Sequence, residues 1–394
     1  MKITYLLSNP GIGGLEQRLA WIVPRLNCRG HDTSILNLCN AGRSNDYWRR
    51  SGVPVSHISR TSSTELLFLP RLLHHLRQER PDILHIYGLR ANLLGRIAAK
   101  LTGVQAVVSG QVSTDSWRKW HHVIADRLTS PAVSLYMANS NAVRTAFIER
   151  ERVSPDRIVT VCNGIDIKSY SSNRHLRAQI RREWGISPLE TAFLMVANIR
   201  PAKNHFGLLD AVLELKKDRD NFKIFLVGED YSQGRLEREI GSRNLNDVVR
   251  FLGHRPNAGS LWAGADIGLL SSVWEGSPFS LLEAMASGVA VISTRVGGVS
   301  ELVLDGVTGL TVPPNDPQSF AHAMRSMLDS PSRRKEMAGN AQLRATKHYS
   351  LESMLDGMLA VYTAALRSRN GFTSSPISEG QSSSCKSPYG PRSL

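Results

Sequence analysis

Residues 267–293 read IGLLSSVWEGSPFSLLEAMASGVAVIS. The run Ile267–Ser271 is short, apolar and bounded by small polar residues, which suits a buried strand. Helical signals follow it. Ser277 is placed to cap a helix, Pro278 suits its first position, and Phe279–Ser287 carries the apolar spacing. Gly288 stops the helix, and Val289–Ser293 reads as the next strand. This is one strand–helix–strand unit, the repeat from which parallel sheets with helices on both faces are built. Its helix starts at the carboxyl end of a strand, where unsatisfied backbone N–H groups favour an anion such as a diphosphate.

The same rhythm runs outward in both directions. Towards the N-terminus, strands are predicted at Ile3–Leu7, Ser34–Leu38, Ile83–Ile86, Ala106–Ser109, Leu135–Ala138 and Ile158–Val161. Helices are predicted at Leu15–Leu26, Leu66–Gln78, Ala91–Lys100 and Ala142–Glu149. After a seam at Asn163-Gly164-Ile165-Asp166 the pattern restarts. Strands are expected at Phe193–Ala197, Lys223–Val227 and Val248–Leu252, and helices at His205–Lys217, Arg235–Arg243 and Pro317–Leu328. The length of 394 residues suits two such domains. The expected division is 1–166, then 167–350, then a helix over 351–370. The segment 371–394 is rich in Ser, Gly and Pro and is expected to be disordered. Two doubly wound domains place ligands at the carboxyl ends of their strands.

Composition narrows the function. No run of about 18 apolar residues exists, so no transmembrane helix is expected. The apolar start, Met1–Leu7, is too short for a signal-peptide core. The four cysteines form no CxxC and no cysteine–histidine cluster, which argues against a zinc site and for a cytoplasmic setting. Of the net charge of +14, residues 1–170 supply +10, from 22 Lys/Arg against 12 Asp/Glu. That excess suits peripheral contact with an anionic inner membrane face or an anionic acceptor. The cations are dispersed and accompany no nucleic-acid-binding motif, so no nucleic acid is expected as partner.

Two loops carry the chemistry. In the first, Glu275 precedes the helix and Glu283 lies about a turn inside it. Helical side chains lean towards the N-terminus, so both carboxylates can face one site and each can bond a vicinal diol. The alternative is a loop carboxylate and a surface one on an ordinary amphipathic helix. The second loop, Asn198-Ile199-Arg200-Pro201-Ala202-Lys203-Asn204, leaves the first strand of the second domain. There Arg200 and Lys203 would stabilise a departing nucleoside diphosphate without a metal.

These stretches resemble the GT-B retaining glycosyltransferases of the large bacterial family 4 (glycosyl transferases group 1). The matching features are Glu275 and Glu283 with seven residues between them, the loop ending in Lys203-Asn204, and Thr294-Arg295-Val296-Gly297-Gly298 with Glu301. The seam at 163–166 and Gly13-Gly14-Leu15-Glu16 also fit. The resemblance implies an α/β GT-B fold of two Rossmann-like domains facing across a cleft. It implies a retaining, metal-independent glycosyltransferase with no cofactor beyond a UDP- or GDP-linked sugar donor. The acceptor would be a glycan or lipid-linked molecule of bacterial surface polysaccharide synthesis. Glu275 would meet the donor sugar, Glu283 the ribose, and Arg200 and Lys203 the diphosphate. Gly276, Pro278, Phe279, Ser280, Gly13 and Gly14 would line the donor. Two positions depart from the pattern. Ala197-Asn198 stands where the family often has Gly-Arg, and Gly110-Gln111-Val112 where it often has a His. They favour the alternative of a non-catalytic nucleotide-sugar binding or scaffold protein.

Other signals are weaker. Gly11-Ile12-Gly13-Gly14-Leu15-Glu16 lacks the third glycine of a dinucleotide fingerprint. Asp218-Arg219-Asp220 looks like a metal-binding Asp-x-Asp but falls at the wrong end of a strand and reads as a polar turn. His85 and Tyr87 end a strand and either touch acceptor, with Glu16, or finish the core. Asn139-Ser140-Asn141 reads as an acceptor-side loop or a helix cap.

Overall fold

The computed structural model describes residues 1–8, 11–39, 43–58, 68–115 and 117–369. The segment 371–394, expected to be disordered, lies outside the described residues. The chain forms two compact units. One holds Met1–Cys162 and the last helix from Met354; the other holds Asn163–Ser353. The seam therefore falls between Cys162 and Asn163, just ahead of position 166.

The first unit is built on seven parallel strands: β1 (Lys2–Leu7), β2 (Asp32–Asn37), β3 (Val55–His57), β4 (Ile83–Tyr87), β5 (Ala106–Gln111), β6 (Leu135–Ala138) and β7 (Ile158–Thr160). Their spatial order is β3-β2-β1-β4-β5-β6-β7. The second unit has six: β8 (Thr191–Val196), β9 (Phe222–Val227), β10 (Val249–Phe251), β11 (Ile267–Leu270), β12 (Ala290–Thr294) and β13 (Gly309–Val312), in the order β10-β9-β8-β11-β12-β13. The central strands are buried on both faces, which is why they read as unbroken apolar runs rather than alternating ones.

The strand order fixes where a ligand can sit. From β8 the chain winds outward through β9 and β10, then returns to place β11 on the other side of β8. The loops after β8 and β11 thus leave the sheet side by side at the point where winding reverses, the place at which doubly wound sheets bind ligands. The helix Phe279–Ala286 follows β11. Its Leu281, Leu282, Ala284, Met285 and Ala286 are fully buried, so it is held by packing rather than by an amphipathic face.

Candidate active site

The loop after β8 forms a short 3-10 turn, Pro201–Lys203, and then the helix His205–Lys216. Asn204 makes this tight reversal in the left-handed region and caps the helix by accepting from the Gly207 amide at 3.2 Å. The reversal brings Lys203 to the loop after β11. Its Nζ donates to Glu275 Oε1 at 2.5 Å, and Ser272 Oγ donates to the same oxygen at 2.6 Å. The Glu275 side chain is only 10% exposed, against 27% for Lys203. A nearly buried carboxylate is thus offset by one cation and one hydroxyl, while the cation keeps contact with solvent.

Arg200 does not join this pair. It is exposed, and its guanidinium lies over the Tyr231 ring, 4.1 Å from the centroid. The two cations of the loop, three residues apart, take different roles: Lys203 faces Glu275, and Arg200 is held to an aromatic face.

Glu283 is placed deeper than the sequence implied. Tyr170 Oη donates to its Oε1 at 3.0 Å and Trp262 Nε1 to its Oε2 at 3.1 Å. Burial raises its pKa, and the bonds from Trp262 and Tyr170 pull it the other way. Each oxygen has a further lone pair, so a ribose hydroxyl can still donate to it. Nothing in sequence spacing pointed to Tyr170, Trp262 or Ser272; each reads as an ordinary core or loop residue.

The loop that carries Glu275 is fixed by backbone. Asn163, at the seam, donates from Nδ2 to Ser277 O at 2.7 Å, and Thr294 Oγ1 donates to Ser272 O at 2.5 Å. Gly298 N donates to Gly276 O at 2.8 Å. Gly297 has φ +50°, and a Cβ there would lie 1.9 Å from Glu275 O. The Gly-Gly pair of the sequence is thus the surface against which this loop is moulded. Pro278 takes the N-cap position, where it supplies no side-chain cap, and helix Phe279–Ala286 begins one residue later than expected. Gly276 and Pro278 are buried, and Phe279 and Ser280 are half-buried at this helix start.

Three residues of the first unit, for which acceptor contact was one reading, lie in its interior. His85 and Tyr87 are 0% and 2% exposed, which leaves neither a surface from which to touch an acceptor. They stack on each other at 4.4 Å between centroids. His85 Nδ1 meets Tyr362 Oη at 2.7 Å, and Tyr87 Oη accepts from Arg18 at 2.9 Å. Burial and the nearby Arg18 lower the pKa of His85 well below its usual range. A Cβ at Gly110 would strike the Tyr87 ring, so Gly110 makes room for this cluster. Glu16, third, is buried and turns its carboxylate back to accept from the Gly13 amide at 2.8 Å; Gly14 opens the helix Gly14–Cys28. It caps its own helix.

The departures from the sequence pattern also have definite places. Asn198 Oδ1 accepts from the Glu229 amide at 2.9 Å and so pins the loop after β9. Gln111 is buried, donating to Ser109 Oγ at 2.8 Å. Asp218 is taken by Arg325 in a two-pronged pair, and Ser140 caps the helix Asn141–Glu151 by accepting from the Val143 amide. Among the described residues no group of three His, Cys, Asp or Glu is gathered as metal ligands are, and no helix is long and apolar enough to cross a membrane.

Two parallel-sheet α/β units with this loop arrangement define the GT-B class. Two family profiles match the chain: "Glycosyl transferases group 1" over residues 177–344 and "Glycosyl transferase 4-like domain" over 13–164. The chain belongs to the group 1 glycosyl transferases, enzymes of sugar transfer. It is 26% identical to the UDP-Gal:alpha-D-GlcNAc-diphosphoundecaprenol alpha-1,3-galactosyltransferase of Escherichia coli, over 64% of this chain and 68% of that one. It is 25% identical to the N-acetyl-alpha-D-glucosaminyl L-malate synthase of Bacillus anthracis, over 92% and 97%. The crystal structure of Anabaena HepE in complex with UDP-glucose superposes with a TM-score of 0.80 at 21% identity, covering 92% of this chain and all of that one.

Proposed function

We propose that this chain transfers a sugar, with retention of configuration, from a UDP- or GDP-linked donor to a glycan or lipid-linked acceptor in bacterial surface polysaccharide synthesis. The observation that carries the reading is the Lys203–Glu275 pair, set where the loops after β8 and β11 leave the sheet together. The carboxylate suits the hydroxyls of a donor sugar, and the ammonium has two further donors for a diphosphate. The start of helix Phe279–Ala286 adds its backbone dipoles to the same task. Arg200, on its exposed arm, supplies a second cation for the leaving group. Charge neutralisation by these groups requires no metal ion. The named relatives that use UDP-galactose and form a glycosyl malate support a nucleotide-sugar donor and leave the acceptor class wide.

The test is to incubate the protein with a panel of nucleotide sugars and follow release of nucleoside diphosphate with and without candidate acceptors. Release above background with one donor, abolished in Glu275→Gln, is expected. Tight binding of a nucleotide sugar with no release from any donor would favour the second reading, a non-catalytic binder. Asn198 and Gln111 favour that reading, since both are spent on internal hydrogen bonds where the family often has Arg and His.

The reaction is further proposed to take place at the inner membrane face. The basic first half of the chain supplies +10 of the +14 charge. Each Lys or Arg close to anionic lipid would contribute about 1 kcal/mol, weakened by salt.

A further inference from the structure

The helix Trp120–Thr129 is turned inside out. Its largest apolar residues, Trp120, Ile124 and Leu128, are spaced four apart and form one stripe, which an ordinary surface helix would bury. Instead they are 74%, 46% and 77% exposed, and the only buried residue of the helix is Asp126.

The cause is a buried ion pair. Arg96, fully buried on helix Leu89–Thr102, donates to Asp126 Oδ1 at 2.8 Å. It also donates to the Asp126 carbonyl and to Thr129 Oγ1, both at 3.1 Å. A second guanidinium, Arg118, stands 3.9 Å from Asp126 Oδ2. Breaking such a pair strands a charge, so the pair sets the rotation of the helix. With Asp126 held inward, the apolar stripe is held outward.

The neighbourhood extends the stripe. Helix Leu89–Thr102 packs against this one and exposes Ile97 and Leu101, and Trp117 is exposed just ahead of it. Six of the ten large apolar side chains exposed among the described residues thus lie between positions 97 and 128, too many in one place for chance surface scatter. The two helices carry one acidic residue between them, the buried Asp126. Lys100, Lys119 and Arg127 are exposed around the stripe, and Asp115 on the preceding loop is paired to Arg118. Two tryptophans and aliphatic side chains ringed by cations, with no exposed acid on either helix, match the boundary between anionic headgroups and acyl chains.

We infer that Trp117, Trp120, Ile124 and Leu128, with Ile97 and Leu101, form a docking face that inserts shallowly into an anionic lipid bilayer. This deepens the membrane reading above, which rested on net charge. It adds an apolar anchor that salt does not remove.

The experiment uses the full chain with sonicated vesicles of phosphatidylcholine, alone or with phosphatidylglycerol, at low and high salt. Lipids brominated near the top of the acyl chains report on tryptophan depth. Binding to anionic vesicles and quenching of emission are expected, with the quenched fraction lost in Trp117→Phe/Trp120→Phe. Replacing Trp120, Ile124 and Leu128 by Ser is expected to weaken vesicle partition at least about tenfold, since each removes apolar area from the bilayer. Circular dichroism and the thermal midpoint check that the variant folds, and Trp120→Ser alone serves if the triple variant does not. Binding that is fully reversed by salt, without quenching, would leave the charge reading standing and overturn the insertion. Unchanged partition of the Ser variants would also overturn it. So would a concentration-dependent dimer that the same substitutions abolish, with no vesicle binding, since the face would then join two copies. Nucleoside diphosphate release in vesicle-free buffer reads the donor site separately.

Discussion

Lys203 and Glu275 hold each other in place at 2.5 Å, and neither can be neutralised without unbalancing the other. Glu275→Gln keeps the volume and the bond from Ser272 but leaves the ammonium without its counter-charge. Turnover at saturating donor is expected to fall at least about 100-fold, the scale of losing one electrostatic contact to a transition state, while the thermal midpoint changes little. Turnover near that of the parent protein would remove Glu275 from the chemistry. Glu283 differs because it is buried and already accepts from Tyr170 and Trp262. Glu283→Ala strands both donors, so denaturant unfolding is expected to show a loss of about 1–3 kcal/mol. Affinity for free nucleoside diphosphate is expected to fall as well; an unaltered affinity, titrated where the variant is folded, would rule out the ribose role. His205 sets a pH dependence. Burial, then the charge of Lys203, lowers its pKa to about 4, and the Ala197 backbone and the charge of Asp230 offset this only in part. Between pH 6.5 and 4 the unfolded chain therefore binds a proton that the folded chain does not. Stability from this residue is complete above pH 6.5 and is lost as pH falls towards 4, by up to about 3 kcal/mol. His85, also lowered, acts in the same direction, whereas the raised Glu283 acts in the opposite one. Denaturant midpoints at pH 7.5 and 5 are expected to converge in His205→Gln relative to the parent; an equal separation would show that His205 does not carry the effect.

At the scale of elements, the Gly297 turn is the sharpest test of how the donor loop is shaped. Its φ of +50° and the 1.9 Å that would separate a Cβ from Glu275 O leave no room for a side chain. Gly297→Ala is expected to cost roughly 1–3 kcal/mol of stability and to weaken donor binding by displacing Glu275. Gly339→Ala, in the helix Pro331–His348 with nothing within 4 Å, is expected instead to gain up to about 1 kcal/mol. Equal effects in the two variants, measured by chemical unfolding, would show that backbone conformation is not what Gly297 supplies. The same contrast explains what could be read from the sequence. Strands β8, β11 and β12 are buried on both faces and stood out as apolar runs, and the loop between β11 and β12 displayed its helix start and its two glutamates. β3 escaped notice because its three residues are half-buried to exposed. β13 is only four residues long. The eighteen-residue helix Pro331–His348 escaped because it buries only Met337, Ala341 and Ala345, and two alanines leave little apolar signal. Helix Trp120–Thr129 was illegible because a buried ion pair reverses its faces. In the site, loop and helix signals placed Lys203 and Glu275 each at a strand end, but their ion pair was not legible in the sequence. The Tyr231 stack of Arg200 and the inward turn of His85, Tyr87 and Glu16 depend on contacts between residues far apart in sequence, which periodicity does not encode.

For the whole molecule, every group assigned to the leaving diphosphate belongs to one unit, Asn163–Ser353. A nucleoside diphosphate should therefore raise the resistance of that unit to unfolding by mass action, about 2.7 kcal/mol at a hundredfold excess over its dissociation constant. The source of the counter-charge decides whether a metal is needed. A diphosphate that leaves without a cation would carry its developing charge into a site already holding Glu275, a repulsion that would slow bond breaking. A divalent ion bridging the phosphates would relieve it. So would Lys203, fixed on one side by Glu275, together with Arg200 on its aromatic support and the amides of helix Phe279–Ala286. Lys203 is fixed by Glu275 before a donor arrives, and a cation held in this way needs little reorganisation during a reaction. Transfer and the stabilising effect of nucleoside diphosphate are both expected to persist in excess chelator. Arg200→Ala and Lys203→Ala are each expected to lower turnover, and added magnesium should not restore it. Activity that vanishes in chelator and returns with magnesium or manganese would show that the protein cations do not suffice.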